Sequence, residues 1–333
     1  MTIVVTGSAG HLGEGLMRTL RAAGRDAIGL DIKASPFTDR VGSVTDRDVV
    51  RDVLRGASSV IHAATLHKPH VVTHAHQQFI DTNVSGTLCL LECAVEAKVG
   101  CFVFTSTTST FGTALNPAPG EPAAWITEGV VPVPKNIYGA TKLGAEHLCE
   151  MFAHKKRLPV VVLRTSRFFP EEDDSASVRQ RFSLDNAQLN ELLYRRVDLD
   201  DLVQAHLLAL EHAARLGFGR FIVSAPSPFR HEHLATLRRH PWDVVRGLFP
   251  DAQSIYGDRG WSMFDELDRV YVSQSAVESL GWRPRYDYAH ALAHVAAGRD
   301  FRSPLAVAVG RKGYHDVAFE NGPYPVEQVP DRR

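Results

Sequence analysis

The chain has 333 residues, with 37 Lys and Arg against 38 Asp and Glu, for a formal net charge of −1. So even a balance gives no electrostatic case for nucleic acid or an anionic membrane surface as partner. No apolar run approaches the length that spans a bilayer, and the length suits one large α/β domain or one domain with a smaller lobe. Cys89, Cys93, Cys101 and Cys149 lack C-x-x-C spacing and read as thiols of a reducing compartment, so cytoplasm is the expected location. The chain opens directly on a strand-like run, an expectation against a signal peptide.

In chain order, the β-branched run Ile3–Thr6 gives way to Gly7-Ser8-Ala9-Gly10-His11-Leu12-Gly13. Helical spacing follows from Leu12 to Ala23, then a second apolar run, Ala27–Leu30, ending on Asp31. Strand, glycine-rich turn, helix and strand form the unit that holds a dinucleotide pyrophosphate on free N–H groups at a helix start. The spacing G-x-x-G-x-x-G is one residue longer between its first glycines than the common fingerprint. Asp31 stands 18 residues past Gly13 (31 − 13), where an acid bonds the adenosine ribose and repels a 2′-phosphate. NAD is therefore expected over NADP, with Ile32 and Lys33 beside the ribose and Lys33 softening the repulsion.

Further strands are predicted near 58–62, 101–105 and 159–163, and helices near 46–55, 76–98 and 137–156. Their alternation implies a Rossmann-type, doubly wound parallel sheet covered on both faces. After Pro170 the pattern breaks. Glu171–Asp174 reads as a solvated acidic loop, a helix follows near 200–215, and a smaller mixed lobe is expected to begin. The expected division is 1–169 as the dinucleotide-binding domain, with about 196–225 returning to it, and 170–333 as substrate lobe and tail. The last dozen residues, rich in Pro and charge, read as a loosely held tail.

Tyr138 and Lys142 are the second signal. Residues i and i+4 share a helix face, and an ammonium beside a phenol would bring its pKa of about 10 down toward a working range. Upstream, the apolar Cys101–Phe104 runs into the hydroxyls Thr105 to Thr110 and a Phe111-Gly112 turn, at a strand end where parallel sheets bind ligands.

Taken together and in this order, these features resemble the extended short-chain dehydrogenase/reductase family, in its nucleotide-sugar epimerase/dehydratase branch. Val60–Ala64, Asp81–Thr87, Leu163-Arg164, Asp200–His206 and Leu280–Pro284 add to the resemblance. It implies Tyr138 as the catalytic acid/base, Lys142 as its partner and Thr107 as the catalytic hydroxyl. It implies cofactor contacts from Gly7, Gly10, His11, Leu12, Gly13, Asp31, Ile32, Lys33, Ser43 and Val44. It further implies them from His62, Ala63, Ala64, Thr65, His67, Asn83, Thr105 and Thr165, with Ser43 where the family usually has Asp. Thr107, Thr108, His70 and Arg167 are the expected substrate contacts, Arg167 as a clamp for an anion. A homodimer through the helices near 76–98 and 137–156 is also implied.

The departures bear on the reaction. Thr108-Ser109 stands where sugar dehydratases carry Asp-Glu, and Tyr194 where a phosphate-binding Arg is usual, with Arg195 and Arg196 adjacent. The expected activity is NAD-dependent hydride transfer at a secondary alcohol or ketone carbon of a sugar or nucleotide sugar. A dehydrogenase of a non-nucleotide alcohol and a silent NAD-binding regulator are the alternatives. His62, His67, His70, His74 and His76 crowd together without a carboxylate or Cys at ligand spacing, so no metal is expected.

Overall fold

The computed structural model describes residues 1–315, 319 and 322–326. Its centre is a seven-stranded parallel sheet of β1 (Thr2–Thr6), β2 (Ala27–Asp31), β3 (Arg40–Val41), β4 (Ala57–His62), β5 (Cys101–Thr107), β7 (Val160–Thr165) and β8 (Phe218–Val223). The spatial order is β3-β2-β1-β4-β5-β7-β8. The order reverses between β1 and β4, and the crevice at such a switch point is where doubly wound sheets take ligands.

Strand residues alternate between two cores because successive side chains point to opposite faces. Ile3 and Val5 of β1 join Leu16, Leu20, Val103, Val161, Leu202 and Val203 on one face. Val4 joins Leu30, Val60, Leu90, Phe102, Val160 and Val162 on the other. The first face is covered by the helices His11–Ala22 and Leu199–Leu216, the second by Gly86–Glu96 and Ile137–Lys156. The helix expected over 76–98 is continuous but carries a π-helical stretch at Ile80–Ser85, a distortion that clusters at functional sites.

A third cluster gathers the helices Leu184–Leu192, Pro241–Leu248, Ala252–Arg259 and Tyr288–Ala296 around Leu189, Leu237, Val245, Tyr256, Val270 and Tyr288. Its two-stranded parallel sheet pairs β6 (Ala124–Ile126) with β9 (Arg269–Tyr271). Asp201 joins the lobes: its carboxylate accepts from the N–H groups of Arg285 and Tyr286, while the Trp282 indole donates to its carbonyl, at 2.8–3.0 Å. Among the described residues all four cysteines are free, and no helix is long and apolar enough to cross a membrane. Of the expected tail, residues 327–333 lie outside the described residues.

Candidate active site

The glycine turn is shaped by contacts that no side chain would allow. Gly7 has φ +74°, and a Cβ there would come within 2.7 Å of the Ala64 nitrogen. One on Gly13 would lie 1.9 Å from the Gly7 carbonyl oxygen, so helix and turn meet only through a bare backbone. Asp31, at the end of β2, accepts from the Ala9 N–H at 3.0 Å and the Lys33 N–H at 2.9 Å. It fixes the turn as well as facing the crevice.

A cleft of about 580 Å³ opens along the C-terminal ends of the strands. Its wall includes the turn from Gly7 to Gly13, Asp31–Lys33, Ser43 and Val44, Ala63–Thr65, His67, His70, Thr105, Thr107, Thr108, Tyr138, Thr165 and Arg167. Three expected site residues, His62, Asn83 and Lys142, are not on that wall.

His62 is 1 % exposed and held in the core. The Thr87 hydroxyl donates to the Asn83 carbonyl at 2.7 Å, so His62 Nε2 donates to Thr87 at 3.0 Å and Nδ1 accepts from Thr6 at 2.7 Å. Burial and the nearby Lys142 charge hold the ring far below the ordinary histidine range. This is a neutral structural histidine rather than a cofactor contact. Asn83 acts through others: its side chain accepts from the Leu66 N–H and donates to the Leu66 carbonyl, each at 2.9 Å, and donates to Thr141 at 3.0 Å. It fastens the loop after β4 to the helix carrying Tyr138.

That helix, Ile137–Lys156, starts on an Asn136 cap accepting from the Gly139 N–H at 3.0 Å. Tyr138 is 8 % exposed and neighbours Thr107, whose hydroxyl is oriented by the Ser109 N–H at 3.1 Å. Burial pushes the phenol up to about 12, and the Thr107 bond works the other way. Burial outweighs every lowering influence on the phenol. The Lys142 Nζ lies 4.0 Å from the centroid of the Phe104 ring, and burial pulls it down to about 7. Shared helix face brought the two residues together; the aromatic floor of β5 decided where the ammonium rests.

Arg167 does line the cleft, but its guanidinium donates to Asp173 at 2.8 Å and to the Glu172 carbonyl at 3.0 Å. Sequence reasoning read Glu171–Asp174 as solvated. Glu171 and Asp173 are instead 6 % and 8 % exposed. Arg167 and Arg195 neutralise Asp173, and His11 donates to Glu171 at 2.8 Å. Among the described residues no group of three or more His, Cys, Asp or Glu could hold a metal ion, the histidine cluster included.

Glu146 was missed. Two turns beyond Tyr138, it is fully buried and bonds Arg164 of β7 at 2.7 Å, Arg220 of β8 at 3.1 Å and the Ser106 hydroxyl of β5. Arg164 was legible as a strand-closing feature; its need of a carboxylate partner was the available signal.

A Rossmann crevice with a phosphate-type turn, an acid at the end of β2 and a Thr–Tyr pair beside a buried Lys defines a dinucleotide-dependent enzyme. More narrowly, the chain belongs to the NAD dependent epimerase/dehydratase family, which residues 3–223 match. The Low-salt glycan biosynthesis protein Agl12 of Haloferax volcanii is 29 % identical over 311 residues, 86 % of this chain and 95 % of that protein. The UDP-glucose 4-epimerase of Streptomyces lividans is 32 % identical over 157 residues, 44 % of this chain and 45 % of that one, so the match spans about half of either. Among solved structures, a short-chain dehydrogenase/reductase superfamily protein from Agrobacterium tumefaciens with bound NAD gives a TM-score of 0.63 at 23 % identity, covering 89 % of this chain and 96 % of that one. The UDP-glucose 4-epimerase from Brucella ovis in complex with NAD gives 0.61 at 20 %, covering 86 % and 94 %. At such identities the likeness is one of fold. The bare Gly7–Gly13 approach and the Asp31 carboxylate on the cleft wall fit NAD.

Proposed function

We propose that this enzyme epimerises a nucleotide sugar through a transient ketone, with the proton handled by Tyr138 and Thr107. The carrying observation is that Thr107 and Tyr138 lie together on the cleft wall, with Thr108-Ser109 following where a dehydratase would need two acids. Bound NAD supplies the hydride acceptor and donor. In its phenolate form Tyr138 takes the proton of the reacting hydroxyl, and as the phenol it returns that proton to the ketone oxygen, while Thr107 bonds the same oxygen and orients it. Gly7–Gly13 and Asp31 hold the dinucleotide.

The anion of the substrate meets Lys135 and Arg269 rather than Arg167. Both line the cleft. Burial and the neighbouring Lys68 and Arg269 charges push Lys135 below its ordinary range, so an incoming diphosphate relieves repulsion there. Lys135→Ala should raise KM for a nucleotide sugar at least tenfold with kcat little changed. Purified protein given UDP-, GDP- and dTDP-sugars should interconvert epimers without releasing NADH; stoichiometric NADH release would instead establish a net dehydrogenase. A homodimer through the helices His76–Phe79 to Gly86–Glu96 and Ile137–Lys156 is part of the proposal. Ile80 and Met151, 40 % and 45 % exposed, suit such a contact, which light scattering would test.

A further inference from the structure

The helix Pro304–Val309 packs on the helices His11–Ala22 and Leu199–Leu216, and the chain then leaves it to cross the cofactor crevice. Glu171 receives it: one carboxylate oxygen accepts from the N–H groups of Lys312 and Gly313, at 3.0 and 3.3 Å, and the other from the Tyr314 hydroxyl at 3.1 Å. The same carboxylate accepts from His11 Nε2 at 2.8 Å, at the start of the pyrophosphate-type helix. Lys312 is paired with Glu14, one turn along that helix. On the opposite lip, beyond β4, His70 Nε2 donates to the Tyr314 carbonyl at 3.3 Å and His315 Nε2 donates to the Pro69 carbonyl at 3.0 Å. The Tyr314 ring lies between the lips, with ring centroids 6.2 Å from His11 and 5.1 Å from His67.

One lip is the glycine turn with the loop after β7 and the other is the loop after β4, and β1 and β4 are the neighbouring strands between which the sheet order reverses. Lys312, Gly313 and Tyr314 themselves form part of the cleft wall. We infer that residues 311–315 are a strap over the dinucleotide, latched through Glu171, which slows the exchange of NAD and makes it a retained group. This rests on the proposed epimerisation, for which a retained cofactor is suited: a hydride returned to the same substrate needs no cofactor exchange. The latch is built for release. The strap is held by loop residues and by the Tyr314 ring packed on Phe169 and Tyr324 rather than by either face of the sheet, which places its opening toward the low-stability end of the molecule.

The test is a chase. Protein loaded with labelled NAD is mixed with excess unlabelled NAD, and the loss of label is timed for the wild type, Tyr314→Ala and Lys312→Ala. Thermal melting confirms that each is folded. Dissociation should be at least tenfold faster in Tyr314→Ala and several-fold faster in Lys312→Ala. Hydrogen exchange at the Lys312 and Gly313 amides should slow when NAD binds. Dissociation within twofold of wild type in both variants, or amide exchange indifferent to NAD, overturns the strap while leaving the catalytic reading in place. Wild type that takes up no NAD overturns the cofactor site itself. Retention with net NADH release on turnover removes epimerisation and keeps the strap.

Discussion

Glu146 and Arg164 offer the sharpest test of how the helix carrying Tyr138 is held. Both are buried, at 0 % and 2 % exposed. Among the described residues Arg164 has no second carboxylate: its Nη1 lacks a hydrogen-bond partner, and the guanidinium lies 4.8 Å from the Phe111 ring centroid. Glu146 keeps Arg220 and Ser106 whatever happens to Arg164. Removal of the acid therefore strands a buried cation, while removal of the arginine leaves a carboxylate still paired. Glu146→Leu should cost about 4 kcal/mol, within the usual range for breaking a buried pair, and Arg164→Met about half of that. With an unfolding entropy near 2.1 cal/mol/K per residue, 333 residues give roughly 0.7 kcal/mol/K, so Glu146→Leu lowers Tm by about 6 °C. The double variant, apolar on both sides, should recover most of the loss. Scanning calorimetry measures all three. If Arg164→Met costs as much as Glu146→Leu, or the double variant is no better than the worse single, the asymmetry argued here is wrong.

Tyr138→Phe should cut kcat by about 10²- to 10⁴-fold while NAD affinity stays within a few-fold, since the phenol acts only on the reacting oxygen; near-normal turnover would remove it from the chemistry. Asp31→Ala should narrow the preference for NAD over NADP and loosen the glycine turn, as direct titration of both cofactors would show. His206, fully buried with Nδ1 donating to the Leu202 carbonyl at 2.8 Å, is pushed down to about 4 by burial. Its unfolded form binds protons first, so the stability it carries is complete above about pH 6.5 and is lost as pH falls toward 4. That loss is up to about 3 kcal/mol. Urea unfolding at stepped pH should show this slope in the wild type and a shallower one in His206→Gln. Equal slopes would mean that other groups set the acid limit.

The first β-α-β unit was legible because everything that defines it is local: a β-branched run, three glycines, an amphipathic helix and a terminal acid within 31 residues. The second sheet was not. Its register pairs Ala124 with Arg269, three-residue strands too short for periodicity to register and too far apart for any local signal. The two-residue β3 fails for the same reason of length. Ala123, within the expected 1–169 segment, packs in the core of the C-terminal lobe, while Val223, within the segment expected to return, ends the last strand of the main sheet.

At the site, sequence spacing told which residues share a neighbourhood and not which atoms face each other. His62 ends β4 on the side that meets Phe102 and Phe104, so strand alternation turned it inward, where two threonine hydroxyls await it. Lys142 followed the same geometry onto Phe104. The acidic run after Pro170 shows the limit most clearly. Four consecutive carboxylates read as a solvated face because their partners come from every other part of the chain: His11, Lys68, Arg167, Arg195 and the segment at Lys312–Tyr314. Glu171 is consequently held near 2, against the penalty of its own burial, and stays an anion throughout the working pH range. A carboxylate held charged beside the pyrophosphate-type turn would repel a phosphate if left bare. Its four donors spend that charge within the protein, so the feature that looked least structured in the sequence joins the glycine turn, the loop after β7 and the end of the chain into one wall.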